Sequence, residues 1–84
     1  MYYVYVLICE KDNMFYTGYT SDLENRIQEH SKGKVHSTKH RLPVKLVYFE
    51  CSLSQDDALH REKYLKSTYG KRYLRNRIKH FLNE

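Results

Sequence analysis

The stretch "YYVYVLICEKDNMFYTGYT", residues 2–20, decides the fold. Its first part, residues 2–9, is an unbroken run of β-branched, aromatic and aliphatic residues, which is short for a helix and typical of a strand. The "EKDN" that follows, residues 10–13, is rich in turn formers, and "MFYTGYT", residues 14–20, has the composition of a returning strand. The sequence therefore predicts a β-hairpin.

The turn of this hairpin determines which side chains share a face. We expect Cys9 to pair with Met14. Tyr5 then lies opposite Gly18, and the phenols of Tyr5 and Tyr16 point to the same side. Because glycine has no side chain, it leaves room there for a ring or a phosphate. A slip of one residue would move Tyr16 to the other face. That face carries the residues that can form a core: Val4, Val6, Ile8, Phe15, Thr17 and Tyr19.

A helix is predicted directly after the hairpin. Ser21 is the expected N-cap, and Glu24, three positions later, completes a capping box. The helix should continue to about Ser31 and end near Gly33. The basic stretch that follows, residues 32–45, contains the only proline and no periodic pattern, which indicates a loop.

The second half of the chain predicts one more strand and two more helices. "VKLVYFECS", residues 44–52, is the third strand, and Ser54 caps a helix that Gly70 breaks. The last helix carries an apolar stripe: Leu74, Ile78, Phe81 and Leu82. The order β-β-α-β-α-α with short connections predicts the α+β class, with a small, mainly antiparallel three-stranded sheet and flanking helices in one domain over residues 1–84.

The size and composition of the chain narrow the function classes. A chain of 84 residues buries a small core, so we expect a site in a surface groove or shallow cleft. Without an apolar run of roughly 18 residues or a secretory signal, we expect a cytoplasmic protein with no membrane partner. Cys9 and Cys51 lie in strand-like runs without metal-ligand spacing, which predicts two buried thiols rather than a zinc site or a disulfide.

The positive charge of the chain is concentrated in two blocks. The net charge is +5, from 15 Lys and Arg against 10 Asp and Glu. The first block contains Lys32, Lys34, Lys39, Arg41 and Lys45. The second contains Lys71, Arg72, Arg75, Arg77 and Lys79. Such blocks favour a phosphate-bearing partner, because each neutralised phosphate releases counterions. An ordinary excess of surface charge is the alternative interpretation.

Two helices carry polar residues in informative positions. Arg26 and His30 are four residues apart and lie on one side of the first helix, where an exposed helix face is the plain alternative. Glu62 falls on the apolar stripe of the second helix, among Ala58, Leu59 and Leu65. A carboxylate there needs a metal or a cation, and an ion pair with Arg61 or Lys66 would satisfy it.

In this order and spacing, the residues resemble the GIY-YIG nuclease family. The pattern consists of "YVY" at 3–5, "YTG" at 16–18, an arginine at position 26 and "REK" at 61–63. It is most similar to the small single-domain members related to the nuclease module of the bacterial excision-repair subunit that makes the 3′ incision. The resemblance covers essentially the whole chain, including "PVKLVYFE" and "ALHREKYLK".

The resemblance implies roles for individual residues. Tyr5 matches the tyrosine that ends the first motif, and Tyr16 and Gly18 match the tyrosine and glycine of the second. Arg26 matches the helix arginine, and Glu62 matches the metal-binding glutamate.

Some positions depart from the family pattern. His30 matches a position that is histidine in some members and tyrosine in others. Tyr3 replaces the first glycine of the family name and Thr17 its second isoleucine, but neither change removes a proposed catalytic group. Tyr19 stands where some relatives carry a lysine near the phosphate.

The resemblance also implies a mechanism: hydrolysis of a phosphodiester by an activated water and one divalent metal, Mg²⁺ or Mn²⁺. Glu62 would anchor the metal, Arg26 would offset charge on the phosphate, and Tyr5 would accept the proton of the water. A free phenol with a pKa of about 10 is only about 0.1% ionised at neutral pH, so Tyr5 needs help. Arg26, a nearby lysine, or a relay through Tyr16 or His30 could provide it.

The expected partner is nucleic acid, most simply DNA. The candidate contacts are Gly18, Tyr19, Lys32, Lys34, Lys39, Arg41, Lys71, Arg75 and Lys79. Because phosphate contacts do not read sequence, we expect low sequence specificity, with targeting by DNA structure or by a partner protein. A role in DNA repair follows from the resemblance alone. Two alternatives stay open: a non-catalytic module that binds nucleic acid or recruits a partner, and a structural domain whose tyrosines form core. Monomer and dimer are both compatible with the sequence.

Overall fold

The computed structural model describes residues 1–84 and consists of a three-stranded antiparallel sheet covered by four helices. The strands are β1 (Tyr2–Cys9), β2 (Met14–Thr20) and β3 (Val44–Ser52), in the spatial order β2-β1-β3. The helices are α1 (Leu23–Ser31), α2 (Gln55–Lys66), α3 (Thr68–Arg77) and α4 (Lys79–Leu82). The predicted α+β class is confirmed, and α4 is an addition to the predicted order.

The hairpin has the predicted register. Cys9 pairs with Met14, and Tyr5 pairs with Gly18. The turn is closed by Asn13, whose φ of 58° lies in the left-handed region that asparagine tolerates better than most residues. Because β1 is the central strand, Tyr5 also has a partner on its other side, Phe49 of β3. The hairpin therefore places Tyr5 in the middle of the sheet.

One face of the sheet packs against α2 and α3 through an apolar core. Its fully buried members are Val4, Val6, Ala58, Leu65 and Leu74. Phe15 and Tyr19 of β2 pack against this cluster from the side, as the hairpin pattern predicts. Leu59, which the helical period places on the buried stripe of α2, is instead 41% exposed.

The first helix begins one residue later than the capping box predicts. The side chain of Asp22, not that of Ser21, accepts the backbone N–H of Asn25 at 3.2 Å. Asp22 is itself held by Thr20, whose hydroxyl accepts the Asp22 backbone N–H at 3.0 Å. The Ser54 cap of α2 is as predicted, because its hydroxyl accepts the backbone N–H of Asp57.

Gly70 does not break α2, in contrast to the sequence prediction. α2 ends at Lys66, and Ser67 caps α3 by accepting the backbone N–H of Gly70 at 3.1 Å. Gly70 lies inside α3, where an added methyl group would come within 2.5 Å of the Leu65 Cα atom. The glycine is therefore needed for the close approach of the two helices.

The last helical segment is interrupted at Ile78, which ends α3 and precedes α4. The predicted continuous stripe is therefore divided: Leu74 is fully buried, whereas Phe81 is 43% exposed. Of the two cysteines, Cys9 is buried as predicted, but Cys51 is exposed because it lies on β3, an edge strand. None of the helices has the length and apolar character needed to cross a membrane.

Candidate active site

The second face of the sheet carries a cluster of rings beneath α1. Tyr5 of β1 and Tyr16 of β2 meet His30, which lies in the last turn of α1. The His30 ring centroid is 5.5 Å from that of Tyr5 and 5.2 Å from that of Tyr16. Tyr5 is 1% exposed and His30 is 0% exposed. The interpretation of the Arg26 and His30 pair as an exposed helix face is therefore wrong for His30.

A chain of two short hydrogen bonds runs through His30. The Tyr5 hydroxyl and His30 Nε2 are 2.7 Å apart, and His30 Nδ1 and the Thr38 hydroxyl are also 2.7 Å apart. Thr38 belongs to the loop between α1 and β3 and is fully buried. Sequence reasoning missed it, because a single threonine in a basic loop belongs to no periodic or spaced pattern.

The loop that supplies Thr38 is fixed to the turn of the hairpin. Arg41 forms an ion pair with Asp12 at 3.0 Å, and the Lys11 ammonium donates to the His40 carbonyl at 3.3 Å. Val35 of the same loop is buried, at 6% exposure. The predicted loop is therefore an ordered segment that positions a buried hydroxyl.

Gly18 makes room for the Tyr5 ring. A methyl group added at Gly18 would lie 2.5 Å from the Cζ atom of Tyr5, well inside van der Waals contact. The absence of a side chain at this position therefore allows the phenol to lie flat over its strand neighbour, one of the two uses that the sequence predicts for this glycine.

The electrostatics of the site hold both Tyr5 and His30 neutral near pH 7. Burial raises the pKa of Tyr5 above its usual value, whereas the adjacent Arg26 guanidinium opposes that rise. Burial and then the positive charge of Arg26 lower the pKa of His30 to about 4. Arg26 is 36% exposed and pairs with Glu29 at 3.2 Å, so its charge stands at the border between the buried rings and solvent.

Glu62 approaches the same site from α2. Its negative charge is among the causes that raise the pKa of Tyr5. The Glu62 side chain is 19% exposed and forms an ion pair with Lys66 at 3.1 Å, while the Lys66 side chain is 56% exposed. From the sequence, an ion pair of Glu62 with Arg61 or Lys66 is the alternative to a metal. Glu62 forms this ion pair with Lys66, whereas Arg61 pairs with Glu50.

A second carboxylate, that of Glu50 on β3, differs from Glu62 in how firmly it is held. Both oxygens of Glu50 accept hydrogen bonds from Arg61, at 2.8 and 3.3 Å, and one of them also accepts the Tyr48 hydroxyl at 2.8 Å. Glu62 has only one flexible, exposed lysine. Of the two carboxylates, Glu62 can therefore exchange its partner for another cation at lower cost.

The residues present fit a hydrated divalent cation at Glu62. No group of three or more His, Cys, Asp or Glu side chains in the protein is arranged to hold a metal ion. A hard cation that keeps several of its waters and binds through one or two carboxylates does not require such a group. The donor set is therefore compatible with Mg²⁺ or Mn²⁺ and unsuited to zinc, which takes three or four protein ligands.

The candidate nucleic-acid contacts fall on several surfaces. Lys32, Lys34 and Lys39 are exposed on the loop after α1, whereas the charge of Arg41 is paired with Asp12. Tyr19 lies on the apolar face, stacked on Tyr2 at 6.4 Å, so the structure does not bring it to the ring cluster.

The predicted stripe on the last helix spans the break between α3 and α4. Lys71 and Arg75 are on α3 and Lys79 begins α4. The Arg75 guanidinium lies 4.5 Å from the centre of the Phe15 ring, and Arg75 and Lys79 both line a cleft of about 360 Å³. Ile8 of β1 and Asn13 of the hairpin turn line the same cationic cleft, which therefore lies between the hairpin and the last two helices.

Comparison with known proteins gives consistent matches. A family model described as the GIY-YIG catalytic domain matches residues 1–79. A UPF0213 protein of Haloquadratum walsbyi is 46% identical over 67 residues, which are 79% of this chain and 74% of that protein. A UPF0213 protein of Clostridium perfringens is 49% identical over 67 residues, 79% of this chain and 71% of that protein.

One solved structure is similar in both sequence and fold. The solution NMR structure of a UPF0213 protein from Bacillus halodurans has a TM-score of 0.56 and 40% sequence identity, and the match covers 88% of this chain and 82% of that one. The names of these relatives state no activity. The resemblance predicted from the motifs is confirmed over nearly the whole chain.

Proposed function

Because this chain belongs to the GIY-YIG family of catalytic domains, we propose that it is an endonuclease that hydrolyses DNA phosphodiester bonds with one divalent metal ion, Mg²⁺ or Mn²⁺. The family supports the nuclease class. The observation that carries the proposal for this chain is the buried Tyr5 phenol, which is hydrogen-bonded to His30 and lies beside the Arg26 guanidinium. Arg26 stabilises the ionised form of this phenol, and His30 does so as well when its Nε2 carries the ring proton.

Tyr5 is the proposed acceptor of the proton from the attacking water. Its burial opposes this role, because the raised pKa makes the phenolate rarer than in a free tyrosine. Arg26 acts in the opposite direction, since a permanently charged guanidinium favours the phenolate and later the extra charge on the phosphate oxygens. In this proposal Arg26 has both functions, which requires it to stay at the solvent border where it is found.

Glu62 is the proposed residue that holds the metal. When bound, the ion would supply positive charge near the leaving oxygen. The contribution of the chain is a partly buried carboxylate whose only ion-pair partner is an exposed lysine. Lys66 would be displaced to solvent, where its side chain is already more than half exposed.

The proposed DNA contacts are the exposed lysines of the loop after α1 and the cationic cleft between the hairpin and the last two helices. The loop contributes Lys32, Lys34 and Lys39, and the cleft contributes Arg75 and Lys79. These groups meet phosphates rather than bases, so we expect low sequence specificity and binding that weakens steeply between about 50 and 200 mM salt. Targeting would then come from DNA structure or from a partner protein.

The test is an assay of cleavage with Mg²⁺ or Mn²⁺ on labelled single-stranded, flap, junction and duplex DNA and on RNA. We expect cleavage of at least one DNA substrate by the wild-type protein and none after chelation of the metal. Glu62→Gln should lose cleavage without a change in melting temperature. Glu24→Gln is the matched control, because Glu24 is an exposed carboxylate in the first turn of α1. This variant should cleave like the wild-type protein. Metal-dependent cleavage by Glu62→Gln at the wild-type rate would show that the metal is held elsewhere.

The second candidate is a module that binds nucleic acid or recruits a partner without turnover. The raised pKa of Tyr5 favours it, because a phenol kept neutral by burial is a poor base. This candidate predicts salt-dependent DNA binding by the wild-type protein with no cleavage of any substrate in the panel.

A further inference from the structure

The hydrogen-bonded chain from Thr38 through His30 to Tyr5 contains three polar hydrogens but only two hydrogen bonds. Each hydroxyl has one proton and the neutral imidazole has one N–H, whereas the chain contains two hydrogen bonds. Because the neutral imidazole carries only one N–H, His30 donates in one of these two hydrogen bonds and accepts in the other. Either Tyr5 donates to His30 and His30 donates to Thr38, or Thr38 donates to His30 and His30 donates to Tyr5. In each case one terminal hydroxyl proton has no partner within the chain.

The inner end of the chain offers no alternative partner. Thr38 is 0% exposed, and its hydroxyl forms no side-chain hydrogen bond other than the one with His30 Nδ1. If Thr38 were the acceptor, its own proton would be buried without an acceptor and without access to water. A buried donor left unsatisfied in this way costs the desolvation of that group.

The outer end of the chain, Tyr5, is itself 1% exposed but lies among side chains that reach solvent. Tyr5 lies beside Arg26, whose side chain is 36% exposed, and Tyr16 in the same cluster is only half-buried. Arg26 can donate but not accept, so it favours Tyr5 as an acceptor. The free hydroxyl proton is therefore better placed on Tyr5 than on Thr38.

We propose that Thr38 donates its hydroxyl proton to His30 Nδ1, which fixes the proton of His30 on Nε2 and makes His30 a donor to Tyr5. Thr38 is then a positioning residue that acts through His30. The catalytic meaning of this arrangement rests on the proposed nuclease function, whereas the arrangement itself does not.

In this arrangement His30 stabilises the phenolate and does not take its proton. Tyr5 loses its hydroxyl proton to solvent on the side where Arg26 and the half-buried Tyr16 lie, and the phenolate accepts hydrogen bonds from His30 Nε2 and Arg26. The attacking water then gives a proton to Tyr5 as its oxygen bonds to phosphorus. The bond from phosphorus to the leaving oxygen breaks, and that oxygen takes a proton from solvent.

The surroundings of the pair are consistent with a neutral donor histidine. The titratable and charged groups that face it are Tyr16 of β2, Arg26 and Glu29 of α1, and Glu62 of α2. Burial and the charge of Arg26 keep the pKa of His30 far below neutrality, so a second ring proton is not available.

The test is heteronuclear NMR of the ring nitrogens of histidine at neutral pH, with the His30→Gln variant to assign the signal. We expect Nε2 of His30 to carry the proton and Nδ1 to be bare. A proton on Nδ1 would overturn the proposal. The spectrum needs no substrate, so it decides the proton position even if the protein cleaves nothing.

Two variants separate the role of Thr38 from simple packing. Thr38→Ser keeps the hydroxyl, so both the Nε2 proton and cleavage should be retained. Thr38→Val keeps the shape without the donor, so the Nδ1 resonance should move to that of a bare ring nitrogen that accepts no hydrogen bond, and kcat should fall about tenfold because His30 is held less firmly. If Thr38→Val has the same Nδ1 resonance and the same kcat as Thr38→Ser, Thr38 does not position His30. Should Thr38→Val fail to fold, the wild-type and Thr38→Ser spectra still decide between the two arrangements.

Discussion

Both faces of the sheet contain fully buried side chains, but only one of them contains a hydrogen-bonded chain of buried polar groups. On one face, Val4 and Val6 of β1 pack into an entirely apolar core with Leu65. On the other, Tyr5 of the same strand is 1% exposed and is hydrogen-bonded to a histidine that is 0% exposed. Burial alone therefore does not distinguish core from candidate site in this protein. The distinguishing feature is the set of partners that each buried residue needs.

The buried groups of the polar face need hydrogen-bond partners, a requirement that the apolar face does not have. A buried polar group without a hydrogen bond is destabilising, and every buried side-chain polar atom in this protein has a partner. Thr38 and His30 achieve this only because a loop and a helix are both fixed against the hairpin. We infer that the apolar face supplies most of the stability and the polar face supplies chemistry, and this division can be tested.

The largest expected effect is on the polar face. Arg26→Ala should lower cleavage by about 10²–10³-fold, because it removes the cation beside Tyr5 and the phosphate. The melting temperature should change little, since the exposed ion pair of Arg26 with Glu29 contributes about 1 kcal/mol or less. Arg72→Ala, which removes another exposed arginine, is the matched control and should cleave like wild type. A large loss of stability in Arg26→Ala would mean that the polar face is structural.

The second effect is on the apolar face. Leu65→Ala should lower the free energy of unfolding by about 2–5 kcal/mol, because it leaves a cavity between α2 and the sheet. Denaturant unfolding measures this loss. Cleavage per folded molecule should be unchanged at a temperature where the variant is folded. Loss of cleavage in the folded variant would show that the two faces are not independent.

The third effect is a pH dependence of stability that only the polar face provides. The pKa of His30 is lowered from 6.5 to about 4 in the folded protein, so the folded state favours the neutral ring. Its contribution is fully present above about pH 6.5 and is lost as the pH falls toward 4, a change of the order of 2–3 kcal/mol. Urea unfolding between pH 7 and about 4.5, above the usual range of carboxylates, measures it. His30→Gln should lack this slope, and an equal slope in both proteins would assign it to another group.

The smallest effect concerns DNA binding at the cationic cleft. Arg75→Ala should reduce the slope of log affinity against log salt by about 1, because it removes one phosphate contact at the cationic cleft. Arg41→Ala is the comparison, since Arg41 is already paired with Asp12 and should change the slope less. Binding measured at several salt concentrations tests this, and equal slopes for wild type and Arg75→Ala would exclude Arg75 from the interface.

The sequence was sufficient for the hairpin and its register, because strand composition, a four-residue turn and face alternation all agree there. It was insufficient where two local signals competed. Ser21 and Asp22 are both good caps, and only the hydrogen bond to Asn25 distinguishes them. Gly70 has the composition of a helix breaker, but its real reason is the close contact with Leu65 of the neighbouring helix.

The candidate site was predictable only where residues belong to a pattern. Tyr5 and Tyr16 followed from alternation along the hairpin, and Arg26 and Glu62 from the family motifs. The burial of His30 and the part played by Thr38 depend on how a loop folds back over α1, which no local pattern records.

The most direct test of the account is single-turnover cleavage by Tyr5→Phe, measured beside thermal unfolding, with Val6→Ala as the matched change on the apolar face. We expect Tyr5→Phe to lose cleavage by about 10²-fold or more at a temperature where it is folded, and to be destabilised by about 1–3 kcal/mol because the buried His30 ring is left without this hydrogen bond. Val6→Ala should be destabilised and still cleave when folded. Wild-type cleavage by Tyr5→Phe would contradict the account, because it would make the buried phenol part of the core.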